Sequence, residues 1–320
     1  MEIKQVENIN DKKYLDFVES NGGVFNSAAW LNMYGKQLQV MSIEHDNRIV
    51  GAFNQWLTKK PGNTFYRTPP MMPNNGLTMQ MKASNASNML SESKVMMELM
   101  ADYYLKKSKG LVSIVFPPEI KDMQPFAWRQ FKVVSGYTYR MPLHFAQEVM
   151  EARMSTTHRN AMKSAVKDGL RSELTHEYSI VESLVNKTFE RKEKRSNVVL
   201  VKKILYQFAN DANSFSYITW QGEKPVSGTF CLVDKDIVYY IMGGYDQQLK
   251  HNGAGILSLF NSILHAKQLG KSFFDFEGSM LPEVEKYFRG FGAELTPYFT
   301  VNKANLALEM LMKLKQRSKF

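Results

Sequence analysis

Between residues 237 and 292 the chain runs strand, paired glycines, polar turn, glycine-rich helix start, strand and short helix, and that order narrows the folds open to it. The apolar run 237–242 reads as a strand that ends on Gly243-Gly244. Lys250-His251-Asn252-Gly253-Ala254-Gly255 then opens a helix whose buried face would be Ile256, Leu257, Leu259, Phe260, Ile263 and Leu264, with Gly270 as its stop. Phe273-Phe274-Asp275-Phe276-Glu277 reads as a second strand, and Pro282 leads a short helix ending at Tyr287-Phe288-Arg289-Gly290-Phe291-Gly292. A chain uses this order to bring bare backbone N–H groups at a helix start against an anionic ligand and to hold a reactive carbonyl beside them.

Each group in the stretch has a chemical and a plainly structural reading. Gly243 and Gly244 mark a bulge or a close backbone approach, where a freed N–H could stabilise an oxyanion; a simple turn is the alternative. Lys250, Asn252, Gly253 and Gly255 leave room for a donor's diphosphate at the helix N-terminus. Asp275 and Glu277, two apart on a strand, would share a face, either as the base that takes a proton from an attacking ammonium or as a cap for the next helix. Tyr287 would protonate a leaving thiolate or hydroxyl, or else pack in the core with Phe288 and Phe291. No Ser/His/Asp set stands out, and neither an H-x-x-x-H nor a paired-Cys spacing offers a metal site.

At 320 residues, with 44% apolar and 12% aromatic residues, the chain has material for two cores. A single cysteine, Cys231, excludes an internal disulfide, and the start of the chain lacks the pattern of a signal peptide. No window reaches the roughly 20 apolar residues of a membrane span, so a soluble, cytoplasmic protein is expected. The 41 Lys and Arg against 31 Asp and Glu, net +10, favour an anionic partner: phosphates, nucleotides, RNA or an acidic membrane face.

Elsewhere, residues 40–56 read as a hairpin turning at Asp46-Asn47-Arg48, and the Pro-rich 67–76 as a loop that lines a site or merely crosses the surface. Ser91 or Ser93 would cap a helix through Tyr104, and 111–116 is a buried strand. Residues 147–168 read as one long helix closed by Gly169, with Arg159, Lys163 and Lys167 stacked on one face as phosphate contacts or as a solvated stripe. A strand at 170–175, two helices around a charged run at 191–195 and a three-strand meander over 215–242 follow, and the tail 302–320 reads as an amphipathic helix.

Lys250-x-x-Gly253-x-Gly255 resembles the Gln/Arg-x-x-Gly-x-Gly/Ala pyrophosphate loop of the GNAT superfamily of N-acyltransferases, with Lys250 in place of the usual Arg or Gln. Tyr287-x-x-Gly290-Phe291 resembles the segment that carries that family's general-acid tyrosine. Asp275-Phe276-Glu277-Gly278, residues 286–292 and Arg159-Asn160-Ala161-Met162-Lys163 through Gly169 are similar to the Fem-type peptidoglycan bridge aminoacyltransferases, without the long helical arm that some of them insert for tRNA. The resemblance implies an α+β fold of two tandem GNAT-like domains, each a mixed, largely antiparallel sheet flanked by helices. Their expected bounds are 1–143 and 144–301, with 302–320 as a helix that could return to the first domain.

It further implies a bacterial transferase that moves an acyl or aminoacyl group to an amine of a cell-envelope precursor. The donor would be acyl-CoA or aminoacyl-tRNA acting as co-substrate, with no tightly bound cofactor. Gly243, Gly244, Asp275, Glu277 and Tyr287 would be catalytic; Lys250, Asn252, Gly253 and Gly255 would hold the donor; Arg159, Lys163, Tyr240 and Arg289 would touch substrate. A cytoplasmic enzyme, peripheral to the inner membrane face, would fit. The rival is a catalytically silent GNAT-like module that binds RNA or an anionic membrane through the basic stripe and tail.

Overall fold

The fold is that of a computed structural model, which describes residues 1–191, 198–278 and 280–315. Most of the charged run at 191–195, and Arg317 and Lys319 of the tail, lie outside the described residues. Two compact units make up the chain, Met1–Gly136 with Pro297–Phe320, and Tyr137–Thr296. The division therefore falls inside a strand and earlier than the expected 143, because the second sheet begins within the strand that ends the first unit.

In the first unit, β1 (Glu2–Gln5), α1 (Lys12–Asn21) and α2 (Ala28–Leu31) lead into a meander, β2 (Leu38–His45), β3 (Arg48–Lys60) and β4 (Asn63–Arg67). Asp46 and Asn47 turn the β2–β3 hairpin at φ 50° and 58°, the left-handed pair that matches strand twist. After β5 (Thr78–Met79) come α3 (Ala86–Lys107), β6 (Leu111–Val115), α4 (Gln124–Trp128) and β7 (Lys132–Pro142). Helix α3 starts before either expected serine because the Asn85 side chain accepts the Asn88 amide. Its Met96, Met100 and Tyr104, four apart, pack with Phe53, Ile114 and Phe116 in the first core.

In the second unit, residues 147–168 are two helices, α5 (Gln147–Arg153) and α6 (Thr156–Lys167). Ser155 breaks the expected single helix: its hydroxyl accepts the His158 amide and caps α6 while Met154 is extended. Next come β8 (Arg171–Thr175), α7 (Tyr178–Arg191), α8 (Val198–Lys203), β9 (Ser214–Gln221), β10 (Lys224–Val233), β11 (Ile237–Tyr245), α9 (Ala254–Gln268), β12 (Phe273–Asp275) and α10 (Pro282–Arg289). The sheet order is β7-β12-β11-β10-β9-β8, antiparallel except for the parallel pair β11/β12. Alternation along β10 sends Ser227 and Thr229 toward Ser258 and Ser262 of α9, and Gly228 and Phe230 toward Leu184 and Tyr178 of α7. The two helices therefore cover opposite faces.

The chain closes with β13 (Glu294–Ala304), which pairs antiparallel with β6, and α11 (Leu306–Lys315). Meander, helix, strand, short helix, strand thus occurs twice, as β2-β3-β4-α3-β6-α4-β7 and as β9-β10-β11-α9-β12-α10-β13. Each unit holds one parallel strand pair, β4/β6 in the first and β11/β12 in the second, among largely antiparallel strands: the tandem, mixed α+β arrangement.

Candidate active site

The site grows out of an irregularity in β11. Met242 pairs with Phe230 and Tyr240 with Cys231, which leaves Ile241 as the extra residue of a bulge. The bulge expected at Gly243-Gly244 is therefore displaced, and both glycines sit in register, opposite Thr229 and Gly228. Three positions apart on a regular strand, Tyr240 and Gly243 would face opposite ways; the added residue puts both on the α9 face.

Glycine is needed at each of these positions for a different reason. A Cβ on Gly243 would lie 1.8 Å from the Tyr240 hydroxyl, so its absence makes room for that phenol. A Cβ on Gly244 would meet the Leu184 backbone at 2.2 Å, so its absence lets α7 settle on the sheet. The second glycine pair divides in the same way. A Cβ on Gly253 would collide with the Ala161 carbonyl of α6 at 2.0 Å, whereas at Gly255 the only group it meets is the Tyr287 hydroxyl, 3.1 Å away.

Beyond Tyr239 and Asp275 the parallel pairing ends while β11 runs on to Tyr245. Beside this open edge lies a cavity of about 410 Å³ lined by Tyr240, Gly243, Gly244, Lys250, Asn252, Gly255 and Tyr287 together with Thr229 and Ser258. A second recess, about 460 Å³, opens between α6 and the same 250–253 loop. Burial pushes the Tyr240 phenol far above the ordinary tyrosine range, and burial together with the neighbouring Tyr240 does the same to Tyr287. Both remain neutral O–H donors across physiological pH.

The expected carboxylates are elsewhere. Strand β12 stops at Asp275, whose carboxylate accepts from Arg140 Nε (2.6 Å), Thr138 Oγ1 (2.6 Å) and the Glu277 amide (2.9 Å). Glu277 follows in a left-handed turn, φ 59°, so the two do not share a strand face, and neither lines the cavity. Burial, with the Asp275 charge beside it, raises the Glu277 carboxyl well above its usual range. Asp275 is a structural anchor between β7 and β12, which corrects its assignment as a base.

Three of the expected substrate contacts also belong to the scaffold or the surface. Arg159 Nη1 donates to the carbonyls of Ala152 (2.7 Å) and Met154 (3.1 Å), closing the end of α5. Arg289 pairs with Glu285 at 2.9 Å on exposed α10, and Lys163 is exposed on α6. Neither lines the cavity.

Lys250 does not open a helix. Gln247–Leu249 form a single tight turn, Lys250 and Asn252 stand exposed, and α9 begins after Gly253. Asp246 sets this turn by accepting the Gln248 amide (2.9 Å) and pairing with Lys187, which holds its carboxyl below the usual range.

Two histidines were not picked out by the sequence. His251 Nδ1 accepts the Gly253 amide (3.1 Å) and Nε2 meets Asp168 Oδ2 (3.1 Å), so one N–H at the start of α9 already has an internal partner. His158 Nε2 lies 2.9 Å from the Tyr287 carbonyl, in the last turn of α10, and its ring fills the space where Gly290 lacks a Cβ. Burial lowers its pKa, so the neutral ring donates through Nε2 and fixes the backbone that presents Tyr287. The only sequence signal for it was Gly290 itself.

Residues 152–289 match the acetyltransferase (GNAT) domain family. Among solved structures, FemX is 13% identical, with 98% of this chain and 100% of that one covered at a TM-score of 0.64. L-PGS from Bacillus licheniformis is 9% identical, covering 98% of each chain at 0.57. A tandem GNAT protein from the clavulanic acid biosynthesis pathway is 11% identical, covering 95% of this chain and 98% of that one at 0.53. At such identities the likeness is one of fold. A search of curated protein sequences finds no match. The domain match thus lies over the cavity-bearing unit, and the fold that the chain shares with these structures runs along nearly its whole length.

Proposed function

We propose that the cavity beside β11 transfers an acyl or aminoacyl group from an activated donor to the amine of a cell-envelope precursor. One observation carries this reading: the splayed edge of β11, the backbone at Gly243 and Gly255, and the side chains of Tyr240 and Tyr287 border a single cavity. The donor carbonyl lies against the β11 edge. As the amine nitrogen bonds to the carbonyl carbon, negative charge grows on the carbonyl oxygen, and a neutral phenol donor stabilises it. The C–S or C–O bond to the leaving group then breaks. Tyr287 gives its proton to the leaving atom and regains one from the attacking nitrogen, so the balance is one N–C bond made, one C–S or C–O bond broken and one proton moved.

The donor's phosphates occupy the recess between α6 and the 250–253 loop, within reach of Lys250 and Asn252. An anion there takes the Gly253 amide in place of the His251 imidazole. This arrangement suits acyl-CoA and the phosphodiester end of aminoacyl-tRNA alike, so the test offers each donor separately with a panel of amines and follows the acylated product by mass spectrometry. Transfer from either donor, lowered by Tyr287→Phe, is the expected result. Steeply salt-dependent nucleic-acid binding with no transfer from either would replace this reading with that of a silent binding module.

A further inference from the structure

Helix α11 presents an apolar face that nothing among the described residues of its own unit covers. Leu306, Met310 and Leu314, spaced four apart, are 83%, 69% and 86% exposed, while Leu308 and Met312 are half-buried. Single exposed leucines are ordinary; three aligned side chains exposed to this degree on one helix are not.

The root of this helix is tied to the two most lysine-rich turns of the first unit. Asn305 Nδ2 donates to Asn63 Oδ1 (3.1 Å) and to the Lys109 carbonyl (3.0 Å), and the Asn305 amide donates to the Gly110 carbonyl (3.0 Å). Thr64 Oγ1 joins the same turns, donating to the Lys107 carbonyl (3.3 Å) and accepting the Lys109 amide (2.8 Å). Lys59, Lys60, Lys106, Lys107 and Lys109 are all exposed around this junction. Asp102, one turn back on α3, is held by Arg129 at 2.5 Å, and Glu309 on α11 is held by Lys313 at 2.8 Å. Asp102 also attracts Lys106, but among the described residues the five lysines outnumber the carboxylates beside them, so the local charge is net cationic.

We propose that α11 and the lysines at its root form a docking surface for a bilayer carrying anionic lipid, with Leu306, Met310 and Leu314 entering the interface and the lysines meeting the headgroups. The pairing of the two features selects this occupant. Lysines alone would fit RNA, and an apolar face alone would fit a second copy of the chain, but an exposed apolar helix face beside a cationic cluster is what an anionic interface requires. The proposal does not depend on the transfer reaction.

The test is co-sedimentation of the full chain with phosphatidylcholine vesicles prepared with and without phosphatidylglycerol. Three proteins are compared: the parent, L306S/M310S/L314S, and K106Q/K107Q/K109Q. Every substituted side chain is exposed, and unchanged melting temperatures confirm that the variants are folded. The parent should bind only the phosphatidylglycerol vesicles, the serine variant should lose at least tenfold in affinity, and the lysine variant about fivefold for each charge removed. Equal binding to both vesicles, binding to neither, or full binding by the serine variant would overturn the proposal. So would sedimentation velocity showing a dimer that the serine variant dissolves, since the apolar face would then be covered by a second copy.

Discussion

The two units follow one order of elements but treat the gap beside their parallel strand pair in opposite ways. In the first, β4 and β6 pair from Phe65/Leu111 to Arg67/Ser113, and the chain's own Pro-rich loop stitches up what lies beyond. Thr68 Oγ1 accepts the Val115 amide at 2.8 Å, the Asn75 amide donates to the Val115 carbonyl at 2.9 Å, Asn26 Nδ2 holds Gly76 at 2.9 Å, and Tyr34 holds Pro70 at 2.7 Å. In the second, β11 and β12 part after Tyr239/Asp275 and a cavity of about 410 Å³ lies beside the open edge. The same splay is a seam in one unit and a site in the other. What decides is whether the segment after the third meander strand carries polar groups that return to close it.

This contrast can be broken most forcefully at Asp275. If it anchors β7 to β12, Asp275→Ala takes the carboxylate partner from the part-buried Arg140 guanidinium and should cost about 3–5 kcal/mol in urea unfolding, with turnover per folded molecule retained. Lost turnover at unchanged stability would make it catalytic after all. Next, Gly244→Ala and Gly253→Ala force backbone apart and should each cost about 1–3 kcal/mol, whereas Gly255→Ala, which meets only the Tyr287 hydroxyl, should cost less than about 1 kcal/mol and act mainly on turnover. Equal losses at all three would erase the distinction between packing glycines and site glycines. In the first unit, Thr68→Val leaves the Val115 amide without its acceptor and should cost about 1 kcal/mol while leaving transfer unaffected.

The smallest effect concerns pH. Burial depresses the pKa of His158 in the folded state below its ordinary 6.5, so the unfolded chain takes up the proton first on acidification. Its contribution is complete above 6.5 and is lost as pH falls from there through the depressed value. His158→Gln, which keeps a side-chain donor for the Tyr287 carbonyl, should flatten the fall of melting temperature with acid across that window. An unchanged slope would show that the ring is not held neutral by the fold.

Much of the second unit was legible because its signals are local. The meander, the α9 run and Pro282 at the head of α10 need only short-range periodicity and a helix-start residue. The glycines at 243, 244, 253 and 255 stand out in the sequence, but it could not say what approaches each of them, since Leu184, Ala161 and Tyr287 arrive from distant elements. Asp275 and Glu277 looked like a strand-face pair because nothing local reveals a left-handed residue at Glu277 or an Arg140 partner 135 positions away. Ser155 could have been read as a cap inside 147–168; an unbroken helical pattern across it hid the break. The end of the first domain was misplaced for a related reason, since β7 runs through the border without a turn to mark it.

The central claim is that the open edge of β11 and the phenols facing it do the chemistry. It is tested most directly by steady-state transfer with Tyr287→Phe and Tyr240→Phe against the parent, using whichever donor the parent accepts. The account predicts that kcat falls about 100-fold for Tyr287→Phe and less for Tyr240→Phe, with KM for the donor nearly unchanged and melting temperatures intact. A parent-like kcat in the Tyr240/Tyr287 double variant would contradict it.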